Sequence, residues 1–250
     1  MSLSSRAARS HERRAFVADV PASPPDNDVL RGRGLTLTQG SVTLLRNVSA
    51  AVRAEETFAI TGPPGAGKSA LLACLSGVVA PDCGEVWFNS GPMHVLDEKA
   101  RTALRRRHFG LVDGRTRLLP ELTVAENVAL PLLLDRVRRP DAFAIARHWM
   151  ERLEVTEHAE SRPAGLSAAL MRRAAVARAL VTRPAVVFAD EPAYDLPGAE
   201  VDHLMRILVS AVRSHGMTLV LATARRRVAT HADHWMALRD GRPDPQADGW

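Results

Sequence analysis

Lysine is nearly absent from this chain: of 33 basic residues in 250, only Lys68 and Lys99 are lysine. Arginine serves where a planar fork or a permanent charge is wanted, and lysine where a compact point charge is. A lysine kept against that bias is a position to locate. Cysteine is scarce too. Cys74 and Cys83 are too few for a disulfide framework or a cysteine-based zinc site, and both suit a reducing compartment. Long apolar runs are missing: Val128 to Leu134 falls far below the roughly 18 to 20 residues that span a bilayer. Aromatics make up only 4% and do not interleave with the arginine clusters at Arg105 to Arg107, at Arg136, Arg138 and Arg139, or at Arg225 to Arg227. Those clusters read as solvated surface, and no nucleic acid is expected as a partner.

What remains describes a globular protein. With 46% hydrophobic and 24% charged residues, the chain fits one domain with room for an inserted subdomain. The four arginines of the first 28 residues are balanced by Glu12, Asp19, Asp26 and Asp28. No apolar signal-peptide core appears there, and Pro21, Pro24 and Pro25 add to the picture of a disordered cytosolic tail over residues 1–28. A short tail is expected at 246–250, leaving 29–245 for the domain.

From Gly34 onward strand and helix signals alternate without an internal repeat. Leu35 to Gln39 and Val42 to Leu45 flank a Gly40-Ser41 turn, a hairpin signal. Strands are expected at Glu56 to Thr61, Glu85 to Asn89, His108 to Val112, Ala185 to Ala189, Thr218 to Thr223 and His234 to Arg239. Lys68 to Leu75 reads as a helix, and Ser167 caps another from Ala168 to Leu180. Between Leu118 and His158 the apolar spacing is helical, as in Phe143, Ala146, Trp149, Met150 and Leu153, which marks a helical insertion. Buried strands separated by helices imply an α/β sheet whose ligand lies beyond the strand carboxyl ends.

Gly62-Pro63-Pro64-Gly65-Ala66-Gly67-Lys68-Ser69 fits G-x-x-x-x-G-K-[ST], after a strand and at the start of a helix. In such a loop the glycines let backbone N–H groups curl around phosphate oxygens, and the helix N-terminus adds its positive end. Lys68 is the expected phosphate contact and the Ser69 hydroxyl an expected Mg²⁺ ligand. Ala185-Val186-Val187-Phe188-Ala189-Asp190-Glu191 supplies the matching apolar strand ending in acid. Asp190 is expected to hold the metal and Glu191 to polarise an attacking water as general base.

These motifs resemble the ATP-binding-cassette (ABC) ATPases, the nucleotide-binding subunits of membrane transporters, from about Leu30 to Pro243. The stretch Leu118-Leu119-Pro120-Glu121-Leu122-Thr123-Val124-Ala125-Glu126-Asn127-Val128 is similar to the helical-domain entry of the lipoprotein-release and macrolide-export subfamily. Ala174 to Leu180 is similar to the helix after the family signature. The resemblance implies an α/β P-loop NTPase core with a mainly parallel sheet, an N-terminal antiparallel β subdomain and an inserted α-helical subdomain at about 115–164. It also implies ATP and Mg²⁺ as cofactors and an integral-membrane permease as partner. A homodimer or heterodimer with another such subunit would form, each ATP lying between one phosphate loop and the other subunit's signature. The location implied is cytoplasmic, on the inner face of the cell membrane.

Several positions depart from the family pattern. The signature LSGGQ is Leu166-Ser167-Ala168-Ala169-Leu170, and each alanine adds a methyl group where glycine lets the backbone approach a γ-phosphate. Ser167, Ala168 and Ala169 are still placed at the cofactor. The family's loop glutamine falls at Gly114, its switch histidine at Ala224, its loop aspartate at Pro197 and its adenine-stacking aromatic near Gln39. Asp113 and Arg225 each stand one residue from a lost group and are candidate substitutes. Losing one donor from a charge-stabilising site costs about a hundred- to a thousand-fold in rate, and such losses need not multiply. Two readings follow: a slow ATPase that drives a permease, or a regulatory subunit that clamps Mg-ATP and hardly hydrolyses it.

Overall fold

A computed structural model describes residues 28–114 and 118–246. The expected tails fall almost wholly outside the described residues, although Asp28 already opens the first strand.

Two long strands, β1 (Asp28–Gln39) and β2 (Val42–Arg53), form the expected hairpin around Gly40 and Ser41. They run longer than the sequence pattern suggests, because register shifts near Gly32 and Leu35 interrupt the alternation of buried and exposed residues. Next come β3 (Thr57–Thr61), α1 (Lys68–Leu75), β4 (Cys83–Phe88), β5 (Gly91–Pro92), α2 (Glu98–His108) and β6 (Phe109–Asp113). The expected helical insertion contains α3 (Val124–Leu134), α4 (Arg139–Arg152) and two 3₁₀ turns, with no strand among its described residues. The remainder is α5 (Ala168–Leu180), β7 (Val186–Asp190), α6 (Gly198–Ser214), β8 (Thr218–Thr223), α7 (Arg226–Ala229), β9 (His234–Arg239) and β10 (Arg242–Pro243).

The strands make two sheets. One is antiparallel, in the order β2-β1-β4-β5, and the other runs β10-β9-β3-β8-β7-β6, parallel except for β10. Every residue of β3 and β8 is buried, as expected of parallel strands covered on both faces. The two-residue period decides which layer each side chain joins. Phe58, Ile60, Phe109, Val186, Phe188, Val220 and Ala222 face α1 and the antiparallel sheet. Their alternates Ala59, Val112, Val187, Ala189, Leu219 and Leu221 face the layer built by α3, α4, α5 and α6.

Local chemistry sets the helix starts. Thr123 and Glu126 form a reciprocal capping box, with bonds of 3.0 and 3.2 Å, and Ser167 accepts from the Leu170 N–H at 3.3 Å. Three helices are not among those expected from the sequence: α2, α6 and the single-turn α7. α2 buries none of its residues, so no apolar stripe announces it. α6 does carry one, in Val201, Leu204, Met205, Leu208 and Val212, a helical spacing that was open to recognition. Burial pushes the Cys74 thiol up to about 12, with Asp82 adding to it, which leaves Cys74 an inert core residue.

Candidate functional site

β8 lies between β3 and β7, so the phosphate loop after β3 and the acids at the end of β7 flank the end of β8. That strand order gathers residues far apart in the chain. Ser69 donates its hydroxyl proton to Asp190 Oδ1 at 3.0 Å, and Lys68 Nζ stands 3.9 Å from Glu191 Oε1. A cavity of about 560 Å³ opens here, lined by Pro64, Lys68, Glu191, Asp195, Ala224 and Arg225 among others. A larger cavity of about 800 Å³, lined by Thr36, Thr38, Thr43, Arg46 and Trp235 among others, includes no phosphate-loop residue. The chemistry belongs to the smaller one, where the titratable groups converge.

The loop has the backbone that glycine permits. Gly65 has φ +82 with open space where a Cβ would lie, so its requirement is conformational. Gly67 has φ +96, and a Cβ there would lie 2.5 Å from the Leu44 carbonyl oxygen. Gly67→Ala therefore meets both strain and a backbone clash, together about 2 to 3 kcal/mol. Thermal unfolding should show Tm lower by about 5 to 10 °C; an unchanged Tm would refute this packing. Gly67 also caps α1 without a side-chain bond, so the first N–H groups of the helix are left for an anion.

Lys68 is only 7% exposed, and Nζ donates to the carbonyls of Gly62 and Pro63, each at 3.0 Å. Burial lowers its pKa, opposed by the charges of Glu191 and Asp190. Burial likewise raises that of Asp190, with Glu191 and Asp113 adding to it and the Ser69 hydrogen bond and Lys68 opposing. A carboxylate held back from ionising in this way gains most from a cation placed beside it. Magnesium takes few protein ligands and keeps water and phosphate oxygens. One hydroxyl and one carboxylate on adjacent elements therefore fit a Mg-nucleotide, and the glycine cradle with its buried amine fits the phosphates.

The other sequence assignments divide. Pro63, Pro64 and Ala66 lie in the loop, and Ala66 closes it by donating its N–H to the Pro63 carbonyl at 3.1 Å. Asp113 pairs in register with Asp190 across parallel strands, so both side chains leave the same sheet face. Gly114 is closely packed: a Cβ there would lie 2.9 Å from the Asp190 carbonyl oxygen. Ser167, Ala168 and Ala169, at the start of α5, do not line the cavity. Arg225 is not the solvated residue its cluster suggested. It is partly buried, and Nη1 donates to the carbonyls of Ala193 at 2.7 Å and Leu196 at 3.0 Å. A phosphate contact by Nη1 would have to displace these bonds.

Asn127 and Arg172 are buried polar residues to which the sequence assigned no role. Asn127 is fully buried; its amide nitrogen donates to the Leu119, Leu122 and Thr123 carbonyls and its oxygen accepts from the Leu119 N–H at 2.7 Å. It ties down the segment leading into α3. Arg172 is 7% exposed and donates to the carbonyls of Asp113 at 3.3 Å and Tyr194 at 3.2 Å. It thereby joins α5 to both loops at the site. For Asn127 the available signal was a polar residue on the apolar face of a helix.

Comparison with known proteins agrees with this geometry. Residues 45–194 match the family described as ABC transporter. The ABC transporter ATP-binding protein YbbA of Escherichia coli (strain K12) is 36% identical over 206 residues, 82% of this chain and 90% of that protein. The lipoprotein-releasing system ATP-binding protein LolD of Paramagnetospirillum magneticum is 36% identical over 198 residues, 79% of this chain and 88% of its own. Among solved structures, the dimeric ATP-binding cassette MJ0796 in a post-hydrolysis state with ADP and Pi superimposes with a TM-score of 0.80 at 28% identity, covering 86% of this chain and 96% of that one. Motif, strand order and relatives converge: the chain belongs to the ABC transporter family, as an ATP-binding cassette.

Proposed function

We propose that this cassette binds Mg-ATP at the loop Gly62 to Ser69 and hydrolyses it slowly to drive or regulate a membrane permease. One observation carries the reading: Lys68, Ser69, Asp190 and Glu191 converge beyond the ends of β3 and β7, on either side of β8, while Gly114, Ala224, Ala168 and Ala169 bring no polar side chain. Bound Mg-ATP supplies the electrophilic phosphorus and the cation that neutralises its oxygens. Lys68 and the loop N–H groups orient the phosphates, Ser69 and Asp190 hold the metal side, and Glu191 receives the water proton. The rate stays low because developing charge meets fewer preorganised donors.

Dimerisation is supported by the dimeric MJ0796 structure, and it would place Ser167, Ala168 and Ala169 at the partner's nucleotide. The named role of LolD in a lipoprotein-releasing system supports a permease partner. So do Leu111 of β6 and Leu134 at the end of α3, 44% and 61% exposed. No helix among the described residues is long and apolar enough to cross a membrane. The permease partner supported by LolD is what places the chain, in this reading, peripherally on the inner face. We take the domain as 29–245 with the helical insertion at about 115–164.

A second reading, a regulatory subunit that clamps ATP, is favoured by Arg225, whose Nη1 is tied to the Ala193 and Leu196 carbonyls and so is not free to replace the histidine missing at Ala224. Steady-state ATP turnover of the purified chain, alone and with its permease, decides between them. Measurable turnover well below that of intact cassettes supports the slow-ATPase reading, whereas none would leave the clamp. Turnover at an intact cassette's rate would sink both. Ala224→His should raise turnover about tenfold. This falls short of the hundred- to thousand-fold worth of one donor in a complete site, because Gly114 and the alanine signature remain. No gain would show that another group limits the rate.

A further inference from the structure

Glu191 is held more tightly than a residue just past a strand end needs to be. Its φ of +44 lies in the left-handed region that residues with a Cβ rarely adopt. Three bonds to one short segment hold it there. Its N–H donates to the Ala222 carbonyl at 2.8 Å, Oε2 accepts from the Thr223 hydroxyl at 3.0 Å, and Oε1 accepts from the Ala224 N–H at 2.7 Å. Thr223 is 1% exposed, and its oxygen accepts from the Arg225 N–H at 3.0 Å. A backbone N–H can only donate, so the Arg225 N–H takes one oxygen lone pair and the one hydroxyl proton goes to the carboxylate.

The strand order explains why this segment can reach. β8 is the single strand between the strand that leads into the phosphate loop and the strand that carries Asp190. Its last residue is therefore next to both. Position 224 carries a methyl group, so the polar grip on the carboxylate there comes from the backbone N–H of Ala224 and from the side chain one residue earlier. We propose that Thr223 is a positioning residue for Glu191. Its hydroxyl and the Ala224 N–H form a two-point clamp that keeps Oε1 turned toward Lys68 and the cavity. Thr223 acts through Glu191 and makes no contact with phosphate. This inference rests on the reading of Glu191 as the base.

The test uses the full chain with Thr223→Val, which keeps the shape and loses the donor, and Thr223→Ser, which keeps the donor. Each is made in the parent and in Glu191→Gln. In the parent background, Thr223→Val should lower kcat about tenfold with KM for ATP within about twofold, and Thr223→Ser should stay within about twofold in kcat. In Glu191→Gln, Thr223→Val should cause no further fall, because the group it positions is gone. Hydrogen exchange at the Ala224 amide supplies a readout independent of turnover: protection should fall in Thr223→Val and persist in Thr223→Ser. Unchanged protection together with unchanged kcat would overturn the proposal, as would an equal fall in both backgrounds, which marks a purely structural effect. If Glu191→Gln leaves parent turnover intact, the base assignment fails instead. The exchange measurement then still reports whether the clamp exists.

Discussion

Glu191→Gln is expected to cut ATP turnover about hundredfold, the lower end of what a positioned general base contributes, and to leave ATP affinity within about threefold. The lower end applies because groups that act as a unit lose less when others are already missing. The substitution disturbs little else. The amide oxygen can still accept from Ala224 N–H, and the Thr223 hydroxyl, with two lone pairs, can accept from the amide nitrogen as well as from Arg225. Turnover and equilibrium binding of a fluorescent ATP analogue separate the two effects. Residual turnover that persists at the parent rate would show that Glu191 is not the base.

Lys68→Ala is expected to weaken ATP binding by about ten- to a hundred-fold, the worth of one or two charge-assisted hydrogen bonds. The amine now rests on two loop carbonyls and faces Glu191, contacts it can trade for phosphate oxygens. Lys68→Arg should not restore affinity, because a guanidinium is larger than a pocket in which the lysine is only 7% exposed. Isothermal titration of ATP in the presence of Mg²⁺ checks both variants. Equal affinity in Lys68→Ala and parent would remove the phosphate site from the place assigned to it.

Much of the architecture was legible because its signals are local. The phosphate loop lies within eight residues, and the parallel strands announced themselves as apolar runs at Ala185 to Ala189 and Thr218 to Thr223. Ser167 capped the helix expected after it. The site was legible only in outline. In the sequence Arg225 is either a charge on a basic surface or a stand-in for the missing histidine, and the fold turns it onto the Ala193 and Leu196 carbonyls instead. Thr223 was an ordinary strand residue until β8 placed it against Glu191. Asn127 and Arg172 hold loops together through bonds to carbonyls, and every residue offers such carbonyls, so their partners left no mark in composition or spacing.

By itself the sequence determined which short segments carry phosphate-binding chemistry, which become strands and helices, and which family positions have lost their polar groups. The scarcity of lysine pointed to Lys68, and the motif gave that lysine its role. Tertiary structure alone decided which of these segments meet. Ser69 touches Asp190, 121 residues away, and Thr223 grips Glu191, 32 away, because β8 is inserted between β3 and β7. Chain connectivity governs contacts within a turn or a helix, so a window of sequence contains them. Contacts between strand ends depend on the order in which strands pair, and that order follows from packing the whole sheet between its two helical and antiparallel layers.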